Sequence, residues 1–338
     1  MSQAGTLPTI PWTDVGRANI HTTKLGIGTW GFGPIGAPES QVADDETLVA
    51  VLRAAFAAGL RYLDTAESYA NEDRLGRLLP VAGAPPDLVI ATKSGRSGKV
   101  REGFTADHFR RSAENSLRAL RLDKLPLLLI HDPRDEDDMA EVLGHGGALE
   151  GLRKLQSEGL VQSIGIATGT IGPLRKAVET GEFDVLQMPR LYTLLNTAGK
   201  DTGLLAAAKA KNMGTMVPAP FGGNILATGV RENPLYMYRP AIPEVVEAVR
   251  RMQERCRELS VSLPVAALAF VLTEPLVDLT IVGLARPQEV YWNVPACDPG
   301  VTREQLESIR EAGRIDPNLI GGPDFKPAAA RARQAQHA

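Results

Sequence analysis

Short apolar runs of β-strand character recur along the chain and alternate with segments whose apolar residues repeat at helical spacing. The eight predicted strands are Leu25–Thr29, Leu60–Asp64, Leu88–Thr92, Leu127–His131, Val161–Ala167, Asp184–Met188, Thr215–Val217 and Leu279–Val282. The predicted helices between them are Thr47–Ala58, Phe109–Leu120, Leu149–Glu158, Arg175–Glu179, Leu204–Lys211 and Val245–Leu259. Strands that alternate with helices pair in parallel, and eight such units close a barrel. We therefore predict an α/β fold of the (β/α)8 TIM-barrel type.

The main alternative is an open, doubly wound sheet, which usually begins with a glycine-rich fingerprint between its first strand and first helix. The stretch Gly26–Gly31 resembles that fingerprint, but glycines and prolines follow it in place of a helix. Outside that context the pattern is weak, and a tight turn explains these glycines equally well. No shift in composition divides the chain. We therefore predict one barrel domain over residues 21–317, a peripheral extension over 1–20 and a flexible tail over 318–338.

Composition narrows the classes of protein to consider. The chain has 338 residues and a formal net charge of −3, which does not favour nucleic acid as a partner. Its densest apolar run near the middle, Leu125–Ile130, is too short to cross a membrane, and the N-terminus does not resemble a secretory signal. Two cysteines, Cys256 and Cys297, exclude a disulfide scaffold and a cysteine-rich zinc site. We expect a cytoplasmic protein that binds neither nucleic acid nor membrane, and the pattern indicates no particular oligomeric state.

Three of the predicted strands end at ionisable side chains. Asp64 ends the second strand and is followed by Tyr69, while Lys93 and His131 end the third and fourth. Each has an ordinary explanation: a helix cap, a packing aromatic, a surface charge or a core histidine. In an α/β barrel, however, the carboxyl ends of the strands meet at one mouth, and catalytic residues lie there. The combination therefore predicts an active site.

The loop after the fourth strand offers a competing interpretation as a metal site. It is rich in nitrogen and oxygen ligands: His131, Asp132, Asp135, Asp137 and Asp138. Their spacing lacks the central glycine and the terminal glutamate of a calcium-binding loop. We therefore favour a solvated acidic loop and predict no metal.

Four short motifs stand at the predicted strand ends: LGIGTW at 25–30, YLDTA at 62–66 followed by Tyr69, TK at 92–93 and IH at 130–131. In this combination the chain resembles the aldo-keto reductase superfamily from about residue 25 to about residue 293. The resemblance implies a (β/α)8 barrel and hydride transfer between a nicotinamide cofactor and a carbonyl or alcohol. It also implies a catalytic tetrad of Asp64, Tyr69, Lys93 and His131.

Elementary acid–base chemistry supports such a tetrad. A carbonyl needs a proton at its oxygen when hydride arrives at carbon, and alcohol oxidation needs the reverse. A free tyrosine has a pKa of about 10, and a neighbouring ammonium group lowers it by favouring the phenolate. We therefore expect Lys93 to lower the pKa of Tyr69 and Asp64 to hold Lys93. His131 would hydrogen-bond the substrate oxygen and orient it.

Further stretches resemble the branch of aldose and pyridoxal dehydrogenases, which includes enzymes that oxidise a cyclic hemiacetal to a lactone. These stretches are HDP at 131–133, RLYTLL at 190–195, and PF at 220–221 with GGNILATG at 222–229. The predicted substrate is a sugar or sugar-like alcohol, with Trp30, Tyr69 and His131 as contacts. Candidate substrate loops are Trp30–Pro38, Asp132–Gly147 and Asn224–Pro240, the last carrying Tyr236 and Tyr238. Two alternatives are a general aldehyde or ketone reductase and a non-catalytic barrel that binds cofactor and regulates a partner.

The resemblance also implies a cofactor site around the same mouth. Many relatives hold the nicotinamide amide with a Ser-Asn pair after the fifth strand, where this chain has Ala167–Thr168. Pro218 stands where an aromatic residue often stacks on the nicotinamide. Glycine-rich loops after the seventh and eighth strands suit phosphates, because glycine lets the backbone N–H groups approach closely. The full predicted set is Gly28, Thr29, Asp64, Thr168, Gln187, Pro218, Phe221, Gly222, Gly223, Asn224, Gly283, Arg286, Glu289 and Asn293.

The choice between NAD and NADP depends on the 2′-phosphate of the adenosine ribose. Relatives that prefer NADP commonly place an arginine four residues before an asparagine in the last repeat, and counting back from Asn293 gives Glu289. A carboxylate there repels a phosphate and can accept hydrogen bonds from ribose hydroxyls, as in dinucleotide-binding folds. Arg286 weakens this argument for NAD, because it could pair with Glu289 or stack on the adenine. The sequence therefore predicts NAD over NADP.

Overall fold

Eight parallel strands form a closed barrel in the computed structural model, which describes residues 7–33, 43–95, 103–237 and 239–320. The barrel strands are β3 (Leu25–Gly28), β4 (Tyr62–Asp64), β5 (Val89–Ser94), β6 (Leu125–His131), β7 (Val161–Ala167), β8 (Val185–Gln187), β9 (Gly214–Pro218) and β12 (Leu279–Gly283). Each strand pairs in parallel with the next, and β12 closes the ring by pairing with both β9 and β3. The predicted fold and all eight predicted strands are confirmed.

Helices surround the barrel and cover it with their apolar faces. They are α1 (Asp45–Ala57), α2 (Glu72–Ala82), α3 (Ala106–Leu120), α4 (Glu136–Leu143), α5 (Ala148–Ser157), α6 (Ile171–Thr180), α7 (Ala198–Asp201), α8 (Leu204–Ala210), α9 (Ile225–Thr228), α10 (Pro243–Glu258), α11 (Leu263–Leu272), α12 (Pro287–Asn293) and α13 (Arg303–Ala312). Helix α1 is an example of a helix with a capped N-terminus and one apolar face. The Asp44 carboxylate accepts the Thr47 N–H at 2.8 Å and caps the first turn, and Leu48, Val51 and Leu52 face the core.

A hairpin closes the end of the barrel opposite the predicted active site. Strands β1 (Trp12–Asp14) and β2 (His21–Thr23) pair in antiparallel fashion. Between them, Val15, Ala18 and Ile20 are buried against side chains inside the barrel. The expectation that the first 20 residues are peripheral is therefore wrong for this segment, because its apolar side chains complete the core.

A second, smaller hairpin lies in the long loop after β9. It consists of β10 (Leu235–Tyr236) and β11 (Arg239–Pro240). At the other end of the chain, Ile320 is buried, and its carbonyl accepts a hydrogen bond from the Tyr236 hydroxyl at 3.3 Å. The rest of the predicted tail, residues 321–338, lies outside the described residues, and the domain boundaries at 21–317 stay a prediction. No described helix is both long and apolar enough to cross a membrane.

Candidate active site

A buried ion pair joins the ends of two neighbouring strands at the mouth of the barrel. The Lys93 ammonium donates to the Asp64 carboxylate at 2.6 Å and to the Thr65 carbonyl at 2.7 Å. The Lys93 side chain is only 2% exposed. Burial alone would lower the pKa of Lys93, but the Asp64 carboxylate and Tyr69 outweigh it and hold that pKa above its ordinary value. Lys93 is therefore a fixed cation at neutral pH.

Tyr69 reaches this cation from a short 3-10 turn, Glu67–Tyr69, which follows β4. Its hydroxyl lies 3.4 Å from the Lys93 nitrogen, and that nitrogen lies 4.9 Å from the ring centroid. Burial raises the pKa of Tyr69, Lys93 opposes that rise, and Asp64 adds to it, so that the pKa lies above its usual value. Lys93 therefore acts on the pKa of Tyr69 in the expected direction, but burial outweighs it. The phenol is protonated at neutral pH.

His131 completes the group from the end of β6. Its ring meets the Tyr69 ring edge-on, with the centroids 5.8 Å apart. Burial lowers the pKa of His131 to about 4, although the neighbouring Asp132 raises it. The imidazole is therefore neutral at physiological pH. The structure thus brings together all four predicted tetrad residues, from three adjacent strands and one turn.

The acidic loop after β6 has local structural partners. Asp135 caps α4, with its carboxylate accepting the Asp138 N–H at 2.9 Å. The Asp138 carboxylate in turn accepts the Arg134 N–H at 2.9 Å. Among the described residues, no group of three or more histidine, cysteine or acidic side chains is arranged to hold a metal ion. These contacts favour a role for Asp135 and Asp138 as acceptors of backbone N–H groups over a role as metal ligands.

Gln187 meets the tetrad in a way that the sequence did not predict. Its side-chain amide donates to the second oxygen of Asp64 at 2.7 Å, and both side chains are buried. Thr168, the other predicted nicotinamide partner, is buried at the end of β7. Its hydroxyl accepts the Thr170 N–H at 3.3 Å. The two side chains therefore border the tetrad on the β7–β8 side of the mouth.

Two loops predicted to hold the cofactor phosphates follow β9 and β12. After β9, Gly222 and Gly223 take φ values of +60° and +86°. A Cβ on Gly222 would lie 2.9 Å from the Tyr236 ring, so close packing requires glycine there. Of the neighbours predicted with them, Pro218 ends β9, and Phe221 and Asn224 lie in the same turn as the glycines. Tyr236 packs on this loop, while Tyr238 lies outside the described residues.

The loop after β12 leads into the short helix α12, with Arg286 as its N-cap and Pro287 in the first turn, as predicted. The Glu289 carboxylate accepts the N–H groups of Ala285 at 2.7 Å and Arg286 at 3.2 Å. It also pairs with the Arg286 guanidinium at 3.1 Å. Gly283 is exposed at the start of the loop, and Asn293 is buried at the end of α12. Glu289 is thus engaged within its own loop.

The predicted residues at the end of β3 have different surroundings. The Thr29 hydroxyl donates to the Asp64 carbonyl at 3.0 Å, so this side chain joins two strand ends. Gly28, just before it, is partly buried and pairs with Asp64. Trp30 begins a 3-10 turn and is 37% exposed, in keeping with a place on the wall of the mouth. The rest of the first candidate substrate loop, residues 34–38, lies outside the described residues.

Comparison with known proteins identifies the family. The family model described as "Aldo/keto reductase family" matches residues 24–314. The chain belongs to the aldo/keto reductase family. It is 32% identical over 300 residues to a D-threo-aldose 1-dehydrogenase of a Pseudomonas species, covering 80% of this chain and 89% of that protein. It is 24% identical over 336 residues to a pyridoxal 4-dehydrogenase of Microbacterium luteolum, covering 89% and 97%.

A solved structure supports the same fold. The holo form of an aldo-keto reductase from Bacillus halodurans superposes with a TM-score of 0.73 at 20% identity, covering 91% of this chain and 98% of that one. As a member of the aldo/keto reductase family with dehydrogenase and reductase relatives, this protein is an NAD(P)-dependent oxidoreductase.

Sequence reasoning missed the residues that hold Tyr69 in place in this aldo/keto reductase. The Asn71 amide donates to the Thr29 carbonyl at 2.7 Å and accepts the Thr65 hydroxyl at 2.7 Å. A Cβ on Gly33 would lie 2.1 Å from the Tyr69 carbonyl oxygen, so only glycine lets these backbones meet. The signal in the sequence was an asparagine two residues after Tyr69 and a glycine in the preceding loop. Neither becomes informative until the turn is known.

Proposed function

We propose that this enzyme oxidises the hemiacetal hydroxyl of a cyclic aldose, or of a sugar-like alcohol, to a lactone. One observation carries the proposal: Lys93 bridges Asp64 and Tyr69 at 2.6 and 3.4 Å, with His131 against the tyrosine ring. This cluster provides a proton-exchanging hydroxyl, a fixed cation and a neutral hydrogen-bonding imidazole at one mouth. Similarity to a D-threo-aldose 1-dehydrogenase supports a sugar as the substrate class.

Each member of the tetrad has a distinct proposed role. Tyr69 exchanges a proton with the substrate oxygen, and Lys93 stabilises the phenolate that forms when Tyr69 gives up its own proton. Asp64 holds Lys93 in place and neutralises its charge. His131 hydrogen-bonds the same substrate oxygen and orients it. Because the pKa of Tyr69 lies above its usual value, oxidation should speed up as pH rises, since it requires the phenolate.

The mouth fits a dinucleotide cofactor. The positive-φ glycines after β9 leave room for a phosphate to approach the backbone closely, and the start of α12 offers a second position for one. The Arg190 side chain adds positive charge near β7, since a Cβ on Gly169 would lie 2.5 Å from one of its nitrogens. Thr168 and Gln187 would hold the nicotinamide amide, and Gln187 also contacts the Asp64 carboxylate of the tetrad. When bound, the cofactor accepts or supplies the hydride.

A substrate panel tests the reaction class. Purified enzyme is mixed with NAD and with L-fucose, L-galactose, D-arabinose or pyridoxal, and cofactor reduction is followed by absorbance. We expect reduction with at least one aldose, with the lactone identified by NMR, and a rate at least about 100-fold lower with Tyr69→Phe. Turnover confined to NADH oxidation with methylglyoxal or other aldehydes would instead favour the general reductase. Cofactor binding without turnover on any substrate would favour the regulatory barrel, against which the assembled tetrad argues.

We further propose that the enzyme prefers NAD, although Glu289 acts differently from our expectation. Its carboxylate does not need to reach the ribose, because it already occupies the N–H groups of Ala285 and Arg286. It also pairs with Arg286, the exposed cation of this loop that a 2′-phosphate would otherwise attract. The negative charge and the occupied donors both disfavour NADP.

Two variants of Glu289 test this preference. Glu289→Gln keeps an acceptor for the helix cap but removes the charge, and Glu289→Arg reverses the charge. We expect wild type to have a higher kcat/KM with NAD than with NADP, and each variant to shift that ratio toward NADP. A tenfold change in that ratio corresponds to about 1.4 kcal/mol. Thermal unfolding shows whether the cap survives. A wild-type preference for NADP would contradict the proposal.

A further inference from the structure

Ser68 contacts His131 and has no assigned role in the proposed reaction. It lies between Glu67 and Tyr69 in the 3-10 turn after β4, and its hydroxyl oxygen is 3.4 Å from Nδ1 of His131. His131 is 8% exposed, so water has little access to its ring. The contact joins the turn that carries Tyr69 to the end of β6.

A neutral imidazole carries its single proton on one of two nitrogens, and its partners decide which. The Ser68 hydroxyl can donate to an unprotonated Nδ1, which leaves the proton on Nε2. On the other side of the ring, Nε2 lies 3.9 Å from the Asp132 carboxylate. A carboxylate favours an N–H over a lone pair at that distance. The Asp132 carboxylate therefore favours the tautomer protonated on Nε2, and in that tautomer the Ser68 hydroxyl, which can donate or accept, donates to Nδ1.

The charged groups around the ring do not change this conclusion. Asp132 and Asp64 favour a proton on the imidazole, whereas burial and the Lys93 ammonium disfavour a second one. The ring is therefore neutral at physiological pH, and the remaining question is which nitrogen holds the proton. With Nδ1 turned toward Ser68, Nε2 is the nitrogen left for a substrate oxygen.

We propose that Ser68 is a positioning residue that holds His131 in the tautomer protonated on Nε2, so that an N–H rather than a lone pair faces the substrate oxygen. This inference rests on the proposed function for the role of His131, but the tautomer itself does not. An oxygen that develops negative charge needs a donor, and the opposite tautomer would present a lone pair to it. Ser68 thus stabilises the tautomer that places a hydrogen-bond donor at the mouth.

The turn does not depend on Ser68 for its position. The Glu67 carboxylate accepts hydrogen bonds from the hydroxyls of Ser94 at 3.0 Å and Ser112 at 2.8 Å, which attach the turn to β5 and α3. Removal of the Ser68 hydroxyl therefore leaves these anchors in place. Ser112→Ala provides a matched control, because it deletes a serine hydroxyl from the same region without touching His131.

The decisive measurement is nitrogen NMR on protein labelled at its five histidines, with the His131 signals assigned by loss in His131→Asn. We expect wild type near pH 7 to show a protonated Nε2 and an unprotonated Nδ1. Ser68→Ala should give averaged shifts of two tautomers, Ser68→Thr should restore the wild-type pattern, and Ser112→Ala should retain it. A protonated Nδ1 in wild type, or no change in Ser68→Ala, would overturn the inference.

Kinetics separate this inference from the proposed function. On any substrate that the enzyme turns over, Ser68→Ala should lower kcat about 2- to 10-fold, as expected for one hydrogen bond, with little change in NAD affinity. Ser68→Thr should recover most of that loss. If the NMR results hold but no aldose is oxidised, the proposed function fails and the tautomer assignment stands. If aldoses are oxidised but Ser68→Ala retains full kcat, the assigned role of Ser68 fails.

Discussion

Replacing Tyr69 with phenylalanine is expected to lower kcat by about 10²- to 10⁴-fold, the range for loss of a positioned acid–base group. The hydroxyl is the group nearest to Lys93 that can exchange a proton with a substrate oxygen. Its removal leaves Lys93 bonded to Asp64 and to the Thr65 carbonyl. The fold and the cofactor loops should therefore survive, and NAD affinity, measured by fluorescence titration, should stay close to wild type.

The pH profile adds an independent check on the same side chain. Wild-type oxidation rates should rise with pH because the pKa of Tyr69 lies above its usual value. The residual activity of Tyr69→Phe should lack that rise. A variant that retains near-full activity, or the same pH dependence, would show that another group exchanges the proton.

Replacing Lys93 with methionine is expected to damage both stability and catalysis. It leaves the Asp64 carboxylate buried without its cation, and breaking a buried ion pair in this way typically costs about 3–5 kcal/mol of unfolding free energy. It also removes the charge that opposes the rise in the pKa of Tyr69. Turnover should therefore fall by at least about 100-fold, as for other disrupted acid–base pairs. Urea denaturation and steady-state kinetics measure the two effects.

A double variant separates the charge from the packing. Lys93→Met with Asp64→Asn removes both charges, so it should be more stable than Lys93→Met alone while remaining inactive. The sign of the pH dependence follows from the raised pKa of Lys93. The stability that its charge adds is present below the ordinary value of 10.5 and is lost as pH rises through the raised value. If Lys93→Met were as stable as wild type, the buried Asp64 carboxylate would not need the Lys93 cation to offset its burial.

Most of the barrel could be predicted because its strands are short apolar runs that end in turns. Helix α11 was not predicted, because the search relied on apolar residues that repeat at helical spacing. It is apolar on every side and buried between the barrel and its neighbours, so it shows no amphipathic period. The hairpin at β1 and β2 was also missed, because three-residue strands beside polar positions carry little pattern. Its buried side chains count as core only once the barrel supplies partners.

In the candidate site, too, some residues could be predicted from the sequence and others only from the structure. Ionisable residues at strand ends predicted an active site, because the fold brings such ends together, and the family resemblance indicated which four residues form the tetrad. The contact between Gln187 and Asp64 was not predicted, since it joins residues on β8 and β4, across the mouth. The positions of Ser68, Asn71 and Gly33 likewise depend on one turn and its neighbours.

The sequence by itself determined the barrel and the order of its strands, because hydrophobic period is a local property, and the resemblance of its motifs to a known family indicated the four tetrad residues. Only the tertiary structure decided how those residues behave. Burial raises the pKa of Tyr69 despite Lys93, and the fold of one loop turns the Glu289 carboxylate onto the N–H groups of Ala285 and Arg286. Desolvation and hydrogen-bond partners come from residues far apart in the chain, so no local pattern records them.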